Sequence, residues 1–137
     1  MTLKQEILEI ARRARHTSRA LANLSTDAKN GALLRMADEL LRAAPVLMKA
    51  NAKDVAAARR AALPAPLIDR LTLTEKILQG MAAGVREVAA LPDPVGEITG
   101  MRTRPNGLQV GRMRIPLGVI AIIYESRPNV TVDAAAL

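Results

Sequence analysis

The sequence predicts an α/β fold in which helices come first and strands follow. Three observations point to it. Up to residue 90, apolar residues recur at helical spacing between capping residues. Pro92-Asp93-Pro94 then closes the helical region, since two prolines cannot continue a helix. Further on, Val119-Ile120-Ala121-Ile122-Ile123-Tyr124 is uncharged and rich in β-branched residues, which reads as a strand buried on both faces. The polar loop Glu125–Asn129 and a helix opening at Val130 follow it. Strand, loop and helix are the first half of a βαβ unit, whose ligands bind beyond the carboxyl end of the strand.

The first helix starts at Thr2, which stands at capping-box spacing from Gln5. Leu3, Ile7, Ile10, Ala14 and Leu21 keep roughly helical spacing, and Glu9 with Arg13 predicts an i,i+4 ion pair. Asn23–Asp27 breaks this helix and caps a second one. Its apolar stripe is Leu33, Met36, Ala37, Leu40, Leu41 and Ala44, with Asp38 and Arg42 paired on the outer side. Pro45 fits the first turn of a third helix. Val46–Leu63 reads as one helix or two, with Asn51 as the junction. After the loop Pro64-Ala65-Pro66, Leu67–Leu71 is a short helical turn. Thr72 or Thr74 then caps a long helix; Thr72 with Glu75 repeats the capping-box spacing, and Ile77, Leu78, Met81, Val85, Val88 and Ala89 share one face.

Beyond Pro94, Val95–Met101 reads as a strand and Arg104-Pro105-Asn106-Gly107 as a tight turn, because Asn-Gly tolerates positive φ. Leu108–Ile115 is the returning strand. A two-stranded ribbon is marginal alone in water, so it should lie on another sheet or on a partner subunit.

Composition narrows the chemistry. At 137 residues the chain suits one domain or a piece of a larger one. Half the residues are apolar, but there is one Tyr and no Phe or Trp, so the core must come from Leu, Ile, Val, Met and Ala. Without cysteine, no disulfide, thiolate metal site or thiol catalysis can arise within the chain. No secretory leader is expected, since Met1–Glu6 has no apolar run, and the uncharged stretch Ile115–Tyr124 is too short for a bilayer. Cytoplasmic placement follows as the expectation. The net charge of +7 is spread over helices without interleaved aromatic residues, which reads as solvated surface rather than nucleic-acid binding.

No glycine-rich nucleotide loop, Walker loop or HExxH motif is present, and no metal site is expected. His16, the single histidine, reads as a surface residue. What remains is the loop 125–129. A strand's end followed by a helix's start offers backbone donors and a favourable dipole to an anion. Arg127 can add a bidentate contact to phosphate or carboxylate, and the Asn129 amide can donate to a developing oxyanion. Two plainer readings stand beside these: Arg127 pairs with Glu125, and Asn129 caps the helix.

The string PLGVIAIIYESRPNVTVDAAAL resembles the glutamate-5-semialdehyde dehydrogenase (gamma-glutamyl phosphate reductase) family of the aldehyde dehydrogenase superfamily. Ala50–Asp54, Leu67–Leu71, Leu91–Gly96 and Arg104–Leu108 carry the same likeness, which runs through nearly the whole chain. The resemblance implies an aldehyde-dehydrogenase-like α/β architecture of which this chain is the N-terminal portion. Residues 1–94 would be the helical part of the cofactor-binding domain, 95–115 the ribbon of the oligomerisation region, and 116–137 the start of the nucleotide-binding βαβ unit. The catalytic domain would be absent, since members of the family run to roughly three times this length, the size of several domains.

It further implies NADPH-dependent reduction of L-glutamyl 5-phosphate to L-glutamate 5-semialdehyde and phosphate, in proline biosynthesis. A cysteine attacks the acyl phosphate, and hydride reduces the resulting thioester. By position Asn129 matches the superfamily's oxyanion-stabilising asparagine. Tyr124, Glu125 and Ser126 would line the nicotinamide or ribose side of the cofactor, and Arg127 would meet a phosphate of substrate or cofactor. A homo-oligomer through 95–115 and metabolic coupling to glutamate 5-kinase are implied as well. With no cysteine, the isolated chain should lack reductase activity. The alternatives are a non-catalytic helical oligomerisation or interaction module, a nucleic-acid binder, and another aldehyde or acyl-phosphate reductase of the superfamily.

Overall fold

A computed structural model describes residues 2–137. In chain order the elements are α1 (Leu3–Leu21), α2 (Thr26–Arg42), α3 (Ala44–Arg60), α4 (Ala65–Leu71), α5 (Glu75–Ala90), β1 (Ile98–Thr103), β2 (Gln109–Met113) and α6 (Pro128–Ala136). The fold is thus mostly helical with a two-stranded antiparallel ribbon, as the sequence predicts. Two compact units form: one from the residues up to Ser25 with Pro92–Ala121, the other from Thr26–Leu91 with Ile122–Leu137.

In the second unit α5 is the central element. Its Leu78, Met81, Ala82, Val85 and Ala89 are buried, at the i, i+3, i+4 spacing of one helix face. Ala82 and Val85 meet Ala37 of α2 in the core, and Leu33, Met36, Leu40 and Leu41 close around them. Val132 and Ala136 of α6 pack on the same cluster. Small side chains at the crossing point let the helices approach closely. Full burial of a side chain such as Leu78 contributes about 1.5–3 kcal/mol.

The expected Asp38–Arg42 pair does not form. Asp38 instead accepts from Arg86 of α5 at 2.7 Å, while Arg42 pairs with Glu39. Asp38 follows Ala37 and Arg86 follows Val85, two residues of the α2–α5 contact, so packing places Asp38 beside a tertiary partner. Glu9 and Arg13 likewise share no salt bridge among the described residues. Exposed pairs of this kind contribute only ~0.2–1 kcal/mol, too little to fix a rotamer.

α3 is a single helix, and Asn51 is no junction in it. Asn51 is 6% exposed, on the face that also buries Val55 and Ala58. Its Nδ2 donates to the Leu71 carbonyl and its Oδ1 accepts from the Leu73 N–H, both at 2.8 Å. One side chain thereby fastens the α4–α5 connection to α3. Thr72 Oγ1 donates to the Ile68 carbonyl at 2.7 Å, at the end of α4, and leaves Thr74 to cap α5 through the Ile77 N–H.

In the first unit, α1 carries the expected capping box between Thr2 and Gln5. Its Leu3, Ile7 and Ile10 are exposed. The ribbon pairs Ile98 with Met113 and Thr99 with Arg112, then resumes at Arg102 with Val110 after an irregularity. Gly100, at φ 64°, falls within that break, where a left-handed residue lets the strand bulge. The Asn106-Gly107 turn forms as predicted, with Gly107 at φ 85° and its N–H donating to the Arg104 carbonyl. Every residue of β1 and β2 is exposed.

The predicted buried strand at 119–124 is a correction. These residues hold no regular structure, and Ile123 is fully exposed. The reason is in the backbone: a parallel strand exists only through hydrogen bonds to a neighbour, and the described residues form no sheet besides β1–β2. α6 begins at Pro128, two residues before the predicted start, because proline's fixed φ suits a helix's first turn.

Candidate functional site

All the sequence-predicted site residues lie in the second unit, around the start of α6. Pro128 has no N–H, and the Val130 N–H is taken by the Arg127 carbonyl at 3.1 Å. The Asn129 N–H, next in that turn, has no backbone acceptor among the described residues. Ahead of it Ser126 is left-handed, at φ 53°. The other positive-φ residue that is not glycine, Ala62, lies just past the last turn of α3, a common place for that conformation. Ser126 ends no helix, so its ~1–2 kcal/mol of strain is stored in the candidate loop itself.

Neither plainer reading of the loop holds. Arg127 makes no ion pair with Glu125 among the described residues. Arg127, rather than Asn129, is the N-cap of α6, without a side-chain cap bond. Asn129 sits inside the helix, where its Nδ2 donates to Asp133 Oδ2 at 3.3 Å. The i,i+4 spacing sets this contact, which orients the amide and leaves its second N–H available. Tyr124 Oη and Thr131 Oγ1 share a hydrogen bond of 2.5 Å, tying the loop back onto α6.

Arg127, Pro128, Asn129 and Asp133 line one side of a cleft of about 430 Å³. Asp69, Arg70, Thr72 and Leu73 come from α4 and the segment after it, and Ile77, Gly80 and Met81 from α5. The structure thus joins two of the five predicted residues, Arg127 and Asn129, to partners nearly sixty residues earlier. Tyr124, Glu125 and Ser126 do not line this cleft. A second cleft of about 520 Å³ shares Thr72 and Leu73 and is flanked by Arg59 and Arg60. Its one buried polar side chain, Asn51, already spends its amide on the backbone. The smaller cleft therefore has the stronger chemical claim.

Asp69, Arg70 and Asp133 were not singled out by the sequence pattern. The Asn129–Asp133 spacing was a usable signal for one of them; Asp69 and Arg70 lie in the Leu67–Leu71 segment that carries the family likeness, but nothing in their spacing linked them to the loop at 125–129. Among the described residues, no three His, Cys, Asp or Glu side chains gather as a metal site, and no helix is long and apolar enough to cross a membrane. His16 is exposed on α1.

No family model matches the chain. Solved structures do. The gamma-glutamyl phosphate reductase of Thermotoga maritima superposes with a TM-score of 0.93 at 40% identity, over 96% of this chain and 32% of that one. The Saccharomyces cerevisiae gamma-glutamyl phosphate reductase does so with a TM-score of 0.88 at 33% identity, over 99% of this chain and 34% of that one. The chain spans about a third of the length of these relatives.

Proposed function

We propose, on the premise of the fold and the residues shared with gamma-glutamyl phosphate reductases, that this chain forms part of the active site of such a reductase. The reaction is reduction of L-glutamyl 5-phosphate to L-glutamate 5-semialdehyde with release of phosphate, in proline biosynthesis. The observation that carries the reading is the cleft in which Arg127 and Asn129 stand together at a helix start, in a chain matched almost end to end.

Asn129 has the main catalytic role in this proposal. Its free amide N–H donates to the acyl oxygen as that oxygen gains charge, while Asp133 holds the amide in place. Arg127, exposed and without a salt-bridge partner among the described residues, faces a phosphate of the substrate or the cofactor. NADPH, when bound, supplies the hydride. The donor set of the loop suits one edge of that cofactor: the Glu125 carboxylate and Ser126 hydroxyl are free to meet ribose hydroxyls. The Tyr124 hydroxyl is held by Thr131, so Tyr124 offers its ring face.

The remaining step, attack by a cysteine thiolate, needs a residue that this chain does not contain. The division into a cofactor-binding part (1–94), an oligomerisation ribbon (95–115) and the start of a nucleotide-binding unit (116–137) belongs to the same proposal. So do a homo-oligomer through 95–115, which the exposure of both ribbon strands supports, cytoplasmic placement, and metabolic coupling to glutamate 5-kinase. The test is direct. The purified 137-residue chain should give no acyl-phosphate-dependent NADPH oxidation. Turnover by that chain would refute the division of labour.

A further inference from the structure

The lining of the α4–α5–α6 cleft is balanced in charge rather than simply basic. It presents two guanidiniums, Arg70 and Arg127, and two carboxylates, Asp69 and Asp133. None of the four takes part in a salt bridge among the described residues, although both signs line one cleft of about 430 Å³. Asp133 has one oxygen engaged by Asn129, which leaves the other free. Gly80 also lines the cleft, in the middle of α5. Glycine there costs ~1 kcal/mol relative to alanine. A Cβ on Gly80 would meet nothing within 4 Å, so no packing neighbour demands its absence. Its absence does widen the cleft.

A purely anionic ligand would be repelled by Asp69 and Asp133, and a purely cationic one by the arginines. A ligand with both signs satisfies the whole set. We propose that this cleft takes a whole amino-acid acyl phosphate, with Arg127 facing its phosphate, Arg70 its α-carboxylate and Asp69 its ammonium. The assignment rests on the reductase reading for the identity of the ligand, and it makes Arg70 and Asp69 specificity-determining residues. Because the four side chains remain hydrated, recognition comes from several modest contacts, and millimolar affinity for a fragment of the substrate is the expected scale.

The probes are L-glutamate and glutarate, which differ only in the ammonium, titrated into the 137-residue chain and followed by amide chemical shifts. L-Glutamate should shift residues 69–73, 77–81 and 127–133, and glutarate should bind about tenfold more weakly, a difference of ~1.4 kcal/mol. Asp69→Asn should weaken L-glutamate and, by removing a repelling carboxylate, tighten glutarate, so that the preference for L-glutamate is lost. Arg70→Gln should weaken both. Helix content by circular dichroism checks that each variant is folded, and Gly80→Val supplies a variant that blocks the cleft without changing its charge. Equal affinity for the two probes, or shifts confined to other residues, would overturn the proposal. L-Glutamate binding here without reductase turnover in any longer protein would support the cleft and remove the enzymatic reading; turnover without binding here would do the reverse.

Discussion

Asn51→Ala is the substitution that most directly probes how this fold positions its clefts. Asn51 makes two hydrogen bonds of 2.8 Å to the backbone of Leu71 and Leu73, on either side of Thr72, which lines both clefts. Each such bond contributes a net ~0.5–1.5 kcal/mol, and a buried group left unpaired costs ~1–3 kcal/mol. Leu71 and Leu73 are half-buried, so water can replace part of what is lost. Alanine also returns up to ~0.7 kcal/mol through its better helix propensity. The balance is a loss of about 2 kcal/mol. Urea unfolding followed by far-UV circular dichroism, with a slope of about 2 kcal/mol/M, should show the midpoint falling by about 1 M. Asn51→Asp sets a buried carboxylate oxygen against the Leu71 carbonyl, so at neutral pH it should lower the midpoint at least as far as alanine does. A midpoint for Asn51→Ala within ~0.2 M of the unsubstituted chain would refute the reasoning, because the two bonds would then add nothing to stability.

The site predictions need a protein that holds the missing nucleophile, such as a chimera in which residues 2–137 replace the matching third of the Thermotoga maritima reductase. There Asn129→Ala should lower kcat by ~10²–10³, the usual cost of removing one oxyanion donor, with the KM for NADPH largely kept. Arg127→Ala should raise the KM for acyl phosphate or for NADPH, and an unchanged kinetic profile would remove its phosphate role. In the chain itself, Asp38→Ala and Arg86→Ala should each cost less than ~1 kcal/mol. A double-mutant cycle by urea unfolding should give a coupling of the same small size, as for other exposed pairs.

The helical part of the fold was legible because its signals are local. The stripe Leu33–Leu41, the capping box at Thr2 and the Asn106-Gly107 turn each depend on residues a few positions apart, and each forms as read. Asp38 was misread because its partner, Arg86, is forty-eight residues away and is chosen by helix packing. One helix or two stayed open over Val46–Leu63 because the polar side chain of Asn51 carries no record of the backbone it will bind. The run at 119–124 has the composition of a buried strand, and composition records the environment a segment suits. A strand also needs a partner to pair with, and none of the described residues supplies one.

The candidate site was legible only in part. Arg127 and Asn129 were singled out from chemistry beside a helix start, and both line the candidate cleft. Asp69 and Arg70 were not, because only the packing of α6 on α5 brings them near. A search for charged groups by spacing cannot see across that distance.

The central claim is that these residues form part of a gamma-glutamyl phosphate reductase site, and the chimera tests it most directly. NADPH oxidation should be measured with and without L-glutamyl 5-phosphate, alongside the 137-residue chain alone. Oxidation that depends on the acyl phosphate is expected in the chimera, and none in the isolated chain. A folded chimera with no such activity, or an isolated chain that matches it, would contradict the account.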